Sequence, residues 1–156
     1  MEADKMKLAE ALIERAEIQK KNGQLIKRIQ NNVKVQEGDV PAEKHEMLID
    51  EYEKNMIRFL ELVQRINNTN NKTAFDEKMN ISDAIARRDY ISSRIGAYRG
   101  IYEATTIKFD RYNRHEVKFV RSIDVAELQD KINTLFKEYR ELDTKLQGIN
   151  WTIDLL

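Results

Sequence analysis

The chain has 156 residues, with 27 lysines and arginines balancing 27 aspartates and glutamates, and it contains five glycines, one proline and no cysteine. This length suits a single domain with a real core, and a net charge of zero gives no bulk attraction to nucleic acid or an anionic membrane. The lack of cysteine excludes disulfides, thiolate zinc sites and thiol nucleophiles.

A first helix is expected from about Lys5 to Val33, with Leu8, Ala11, Leu12, Ile18, Leu25, Ile26, Ile29 and Val33 on one stripe. Arg15 and Asn22 fall on the same seam, where apolar side chains belong. Asp39 and Pro41 then read as the cap and first turn of a second helix, expected from Pro41 to Asn68. Its stripe is Leu48, Tyr52, Met56, Phe59, Leu60, Val63 and Ile66. The run Asn67–Thr73 is expected to stop it, because short polar side chains compete for backbone hydrogen bonds.

Asn80 or Ser82 can cap a third helix whose seam holds Ile81, Ala84, Ile85, Arg88, Ile91, Ile95, Tyr98 and Tyr102. Between Ile107 and Ile123 the helical period vanishes, and the alternation around Val117 and Phe119 suits a short strand, with Val33–Val35 as its partner. Asp124 and Glu127 open the fourth helix. There Val125, Leu128, Ile132, Leu135, Tyr139, Leu142, Leu146, Ile149, Ile153 and Leu156 recur at gaps of three and four. That is the seam of a helix lying along other helices.

The expected fold is mainly all-α: an antiparallel four-helix bundle, roughly 40 Å long at 1.5 Å per residue, with a short strand pair near 33–35 and 117–121. The whole of 1–156 is expected to form one domain, with 1–5 as a flexible extension. Helices one and two differ in charge. Residues 1–34 carry eight basic and five acidic side chains, and residues 35–60 carry three and seven. That complementarity selects antiparallel neighbours without any outside partner.

Chemistry is harder to find. A buried arginine needs a partner, because desolvating its charge alone costs several kcal/mol. Glu14, Glu17, Asp89 and Glu61 are the candidate partners of Arg15 and Arg88. The arginines then make either an anion site or a polar layer that fixes register. The stretch Asp110–Lys118 is the densest polar cluster outside a helix, and Arg111 and Arg114 could grip phosphate or carboxylate while Tyr112 stacks. His45 and His115 are the only histidines, and neither shows metal-ligand spacing. No catalytic residue, metal or cofactor is called for. No apolar run reaches the roughly 18 residues of a spanning helix.

The segments KLAEALIERA, NNVKVQEGDVPAE, RINNTN, AIARRD, DRYNRHEV and ELDTKLQGINWTIDLL together resemble the septicolysin-like family of small bacterial proteins. The resemblance implies a cytolysin by name and carries no catalytic residue with it. Its best-matching stretches coincide with the polar groups off the core. The candidate ligand set is therefore Arg15, Asn67, Asn70, Arg88, Arg111, Tyr112, Arg114, His115 and Glu116.

The leading expectation is a cytoplasmic helical-bundle protein that works by self-assembly or binding rather than catalysis. It is expected to be a homo-oligomer that contacts neither nucleic acid nor, unless it is a cytolysin, membrane. The apolar end Ile149–Leu156 is the expected subunit contact. A membrane-active cytolysin and a ligand or enzyme site at the polar cluster are the alternatives.

Overall fold

The computed structural model describes residues 5–107 and 118–156. Tyr112, His115 and the other candidates from 111 to 116 lie outside the described residues. The chain is all-α, with helices α1 (Leu8–Asn32), α2 (His45–Lys72), α3 (Ile81–Ala104) and α4 (Val125–Thr152). It divides into two compact units. One holds the chain up to Ile81 together with Gln147–Leu156, and the other is Ser82–Leu146.

In the first unit α1 runs antiparallel to α2, as the pairings Glu14–Arg58, Lys21–Glu51 and Arg28–Glu43 require. Leu8, Ala11, Leu25, Leu62 and Ile66 are almost completely buried there. Removing such area from water stabilises by about 25 cal/mol per Å2. The connection between the helices is fixed by Asn32, whose amide donates to the Arg28 carbonyl oxygen at 2.8 Å. Its Oδ1 accepts the Glu43 N–H at 2.9 Å. Gly38 supplies the positive φ of 91° that the turn requires.

Helix α2 begins at His45, after Lys44, and not at Pro41 behind an Asp39 cap. Asn32 and Arg28 hold Glu43 in the connection, so the helix cannot start before it. Nor does α2 end at Asn68: it continues to Lys72 and is capped at Thr73, the last residue of the asparagine-rich run. Thr69, wholly buried, explains this. Its hydroxyl donates to the Arg65 carbonyl oxygen at 2.8 Å and accepts the Leu156 N–H at 2.9 Å. Tertiary contact overrides weak local propensity.

The tail after α4 lies extended against the start of α1. Leu8 N–H donates to Ile153 O at 2.9 Å, and Leu155 N–H donates to Met6 O at 2.8 Å. Lys7 Nζ pairs with Asp154 at 2.6 Å, and Arg65 donates to the main-chain oxygens of Leu155 and Leu156. Leu155 is buried. Much of the apolar end expected at a subunit contact is thus used within this unit, although Trp151 and Leu156 stay exposed.

The second unit is built on α3 and the greater part of α4. Ile91, Ile95 and Leu135 form its buried cluster, with Tyr98, Tyr139 and Leu142 packed against them. Asp124 caps α4 by accepting the Ala126 and Glu127 N–H groups at 2.9 and 3.1 Å. The expected strand pair is not formed: Val33 is the C-cap of α1, and 34–35 and 118–121 have no strand pairing, while 117 lies outside the described residues. The isolated bridges Lys7–Asp154 and Ala74–Asn80 are the β contacts of the described residues.

Candidate functional site

The α1–α2 pair has two unlike faces. On one, Arg58, Lys21 and Arg28 are paired with acids of the same chain. Arg58 Nε and a terminal nitrogen bind both oxygens of Glu14 at 2.7 and 2.9 Å, and its other terminal nitrogen reaches Glu61 at 2.9 Å. Lys21 pairs with Glu51 at 2.7 Å and Arg28 with Glu43. The hydrogen bonds from Arg58, Arg28 and Lys21 hold the carboxyls of Glu14, Glu43 and Glu51, respectively, below the usual glutamate value. The two acids beside Arg58 raise its pKa in turn, so it stays charged. These forks orient two helices and leave no shifted group free for acid–base work.

The other face carries a groove of about 480 Å3 lined by Gln19, Asn22, Gly23, Ile26, Lys27, Gln30, Tyr52, Met56 and Phe59. Helical spacing produces it. Gln19, Ile26 and Gln30 recur at gaps of seven and four on α1, and Tyr52, Met56 and Phe59 recur at gaps of four and three on α2. Gly23 deepens the groove, since a Cβ there would meet nothing within 4 Å. Asn22 closes the floor. It is 7% exposed, its Oδ1 accepts the Asn55 amide at 2.9 Å, and its own amide donates to the Met56 sulfur at 3.4 Å. A thioether is a weak acceptor, so this buried amide keeps donor capacity in hand. The groove can hold an apolar partner and offer it an amide; its walls supply no nucleophile with a base beside it.

Charges on this face are arranged differently. Lys20 and Lys27, seven residues apart, line the outer edge of α1, and Glu46 and Glu53, also seven apart, line that of α2. Among the described residues Lys20, Lys27 and Glu53 make no ion pair, and Glu46 pairs only with His45, at 3.2 Å. Ile49 and Leu60 stand beside Glu53 with 40% and 56% of their surface exposed.

The residues singled out from the sequence are dispersed. Arg15 is half-buried on α1 and makes no ion pair among the described residues, because its expected partner Glu14 is taken by Arg58. Asn67 is exposed on α2, and Asn70 is half-buried with its Oδ1 buried and unpartnered among the described residues. All three belong to the first unit, and none lines the groove. Arg88 belongs to the second unit, where it pairs with Asp143 at 3.1 Å and Asp89 at 3.5 Å. Asp143, on α4, is the partner that sequence reasoning missed.

A second cavity, of about 610 Å3, opens at the α3–α4 connection and is walled by Ile101, Thr105, Phe119 and Ile123 among others. Arg121 Nε donates to the Thr105 carbonyl oxygen there at 2.9 Å. Among the described residues no group of three His, Cys, Asp or Glu is placed to hold a metal ion, and no helix is long and apolar enough to cross a membrane.

Residues 15–155 match the profile of a family of unknown function, DUF6847. The chain is also similar to a solved structure, a functionally unknown conserved protein from Corynebacterium diphtheriae, at 38% identity and a TM-score of 0.91. That similarity covers 98% of this chain and all of the other. No curated protein matches. The septicolysin-like resemblance is therefore corrected: both matches lead to proteins of unknown function, and with the resemblance goes the cytolysin alternative that rested on it. By the span and order of the profile match, the chain belongs to the DUF6847 family of unknown function.

Proposed function

We propose that the protein acts by binding rather than by catalysis, and that the groove face of α1 and α2 is its working surface. The observation that carries this is the contrast between the faces. One carries the Arg58, Lys21 and Arg28 ion pairs, and on the other Lys20, Lys27 and Glu53 make no ion pair among the described residues and stand beside exposed apolar side chains. An apolar strip with a charged rim is the anatomy of a contact surface. The polar groups of the groove are amides, the Met56 thioether, the Tyr52 phenol and the Lys27 ammonium, a set suited to recognition.

Photo-crosslinking in the native cell tests the reading. A benzophenone side chain at Gln19 or Gln30 should give discrete adducts, and one at Glu14 or Lys21, on the opposite face, should give none. Equal labelling from both faces, or none from the groove, would overturn it.

A further inference from the structure

We infer that the occupant of the groove face is a second copy of the same chain, related by a two-fold axis running along α1 and α2. The inference rests on the binding role just proposed and adds the identity of the partner. It is carried by the charge pattern across the groove, which is complementary to itself.

Consider the register of the helix pair. Lys21 meets Glu51, Arg28 meets Glu43 and Asn22 meets Asn55. Across the pair, therefore, Lys20 is level with the turn holding Glu53, and Lys27 is level with the turn holding Glu46 and Asp50. Within one chain these groups cannot meet, because the width of the groove lies between them. A two-fold axis parallel to the helices exchanges left and right while keeping the level along the helix. It lays α1 of each copy antiparallel against α2 of the other. Lys20 then faces the Glu53 of the second copy, and Lys27 faces its Glu46, twice over by symmetry.

The apolar strip closes in the same operation. Ile26, Tyr52, Met56 and Phe59 of each copy meet their counterparts across the axis, flanked by Ile49 and Leu60. Gly23 allows close approach of α1 to α2 of the second copy. The buried Asn22 amide, bonded only to a sulfur, lies near the axis, where the Gln19 amide of the second copy offers an oxygen acceptor. A groove built for an unrelated helix would need no matching of its own two rims.

The size of the contact sets its strength. The strip between residues 19 and 30 of α1 is about 18 Å long at 1.5 Å per residue, and two helices side by side are about 20 Å wide. Such a face covers about 360 Å2 per copy over the strip and about 750 Å2 if extended along all 25 residues of α1, below the about 800 Å2 of a standard stable interface. The contact accordingly falls at the small, transient end of specific interfaces.

Charge reversal tests both partner and register. The variants K20E/K27E and E46K/E53K change only exposed side chains, and circular dichroism will verify that each is folded. Sedimentation velocity on the full chain should show wild type dimerising between about 10 and 500 µM. Each variant alone should stay monomeric, since like charges then oppose across the axis. Their equimolar mixture should recover the dimer, because both rims become complementary again. A wild-type chain monomeric at about 500 µM overturns the inference, as does a dimer indifferent to either reversal. Monomeric variants whose mixture also stays monomeric overturn the two-fold register. Should self-association fail while groove crosslinks give an adduct of another mass, the second copy is refuted and the binding surface stands.

Discussion

Thr69→Val isolates the clamp that fixes the tail. Thr69 is wholly buried, and its hydroxyl accepts the Leu156 N–H at 2.9 Å while donating to the Arg65 carbonyl oxygen at 2.8 Å. Valine fills nearly the same space, so no cavity opens. The change removes the hydroxyl and strands the Leu156 N–H. The Arg65 carbonyl oxygen keeps its helical bond, so the cost is mainly that of one unsatisfied donor, about 1–2 kcal/mol. Thermal unfolding should fall by roughly 3–6 °C for a chain of this size. Amide exchange gives the sharper readout. Exchange at Leu156 should accelerate by about 5–30-fold, whereas the amide of Leu62, a wholly buried residue of α2, should change only as global stability does. Thr69→Ser keeps the oxygen and should restore protection at Leu156. If Thr69→Val left the Leu156 exchange rate and the melting temperature unchanged, the clamp would have no energetic role.

Other consequences follow from the same geometry. In the dilute, monomeric chain Gly23→Ala should stabilise by about 0.5–1 kcal/mol, measured by urea unfolding, since a Cβ meets open space there and alanine favours the helix. Arg58→Met should destabilise by about 1–2 kcal/mol, because Glu14 is left partly buried without its fork; a loss below about 0.3 kcal/mol would reduce it to an ordinary surface pair. The carboxyls of Glu14, Glu43, Glu51 and Asp154 all titrate lower when folded, so the stability they confer is present above their unfolded values. That stability is lost as pH falls through the lower folded values. Denaturant midpoints should be flat from pH 7 to about 5 and decline below about 4.5; a decline starting near neutrality would contradict the assignment.

Four helices and the all-α class are legible in the sequence because the apolar spacing is long and regular. The limits of α2 are not. Thr69 stays helical because a tail 87 residues later in the chain uses its hydroxyl, and no local rule encodes that bond. The alternation around Phe119 reads as a strand, but pairing requires a neighbour that Val33–Val35 does not provide. Arg88 is correctly marked as needing an acid, and its acid, Asp143, lies on another helix. Asn22 signals the groove most directly, as a polar residue on an apolar seam beside a glycine. The neighbouring Gln19 and Gln30 look like ordinary surface residues until the antiparallel register of α1 and α2 is known. The opposing charge of the first two helices predicts their adjacency, yet only the register separates the paired ions from those left over.

The proposed dimer places a second copy of the chain on the groove face of α1 and α2. It is tested most directly by following the methionine ε-methyl resonances as the chain is concentrated. Five methionines make the spectrum simple, and Met56 alone of them lines the groove. Met56 should shift between about 20 and 500 µM, while Met6, beside the clamped tail, and Met79, in the turn before α3, stay fixed. A stationary Met56 over that range, or equal movement of all three, would contradict the claim.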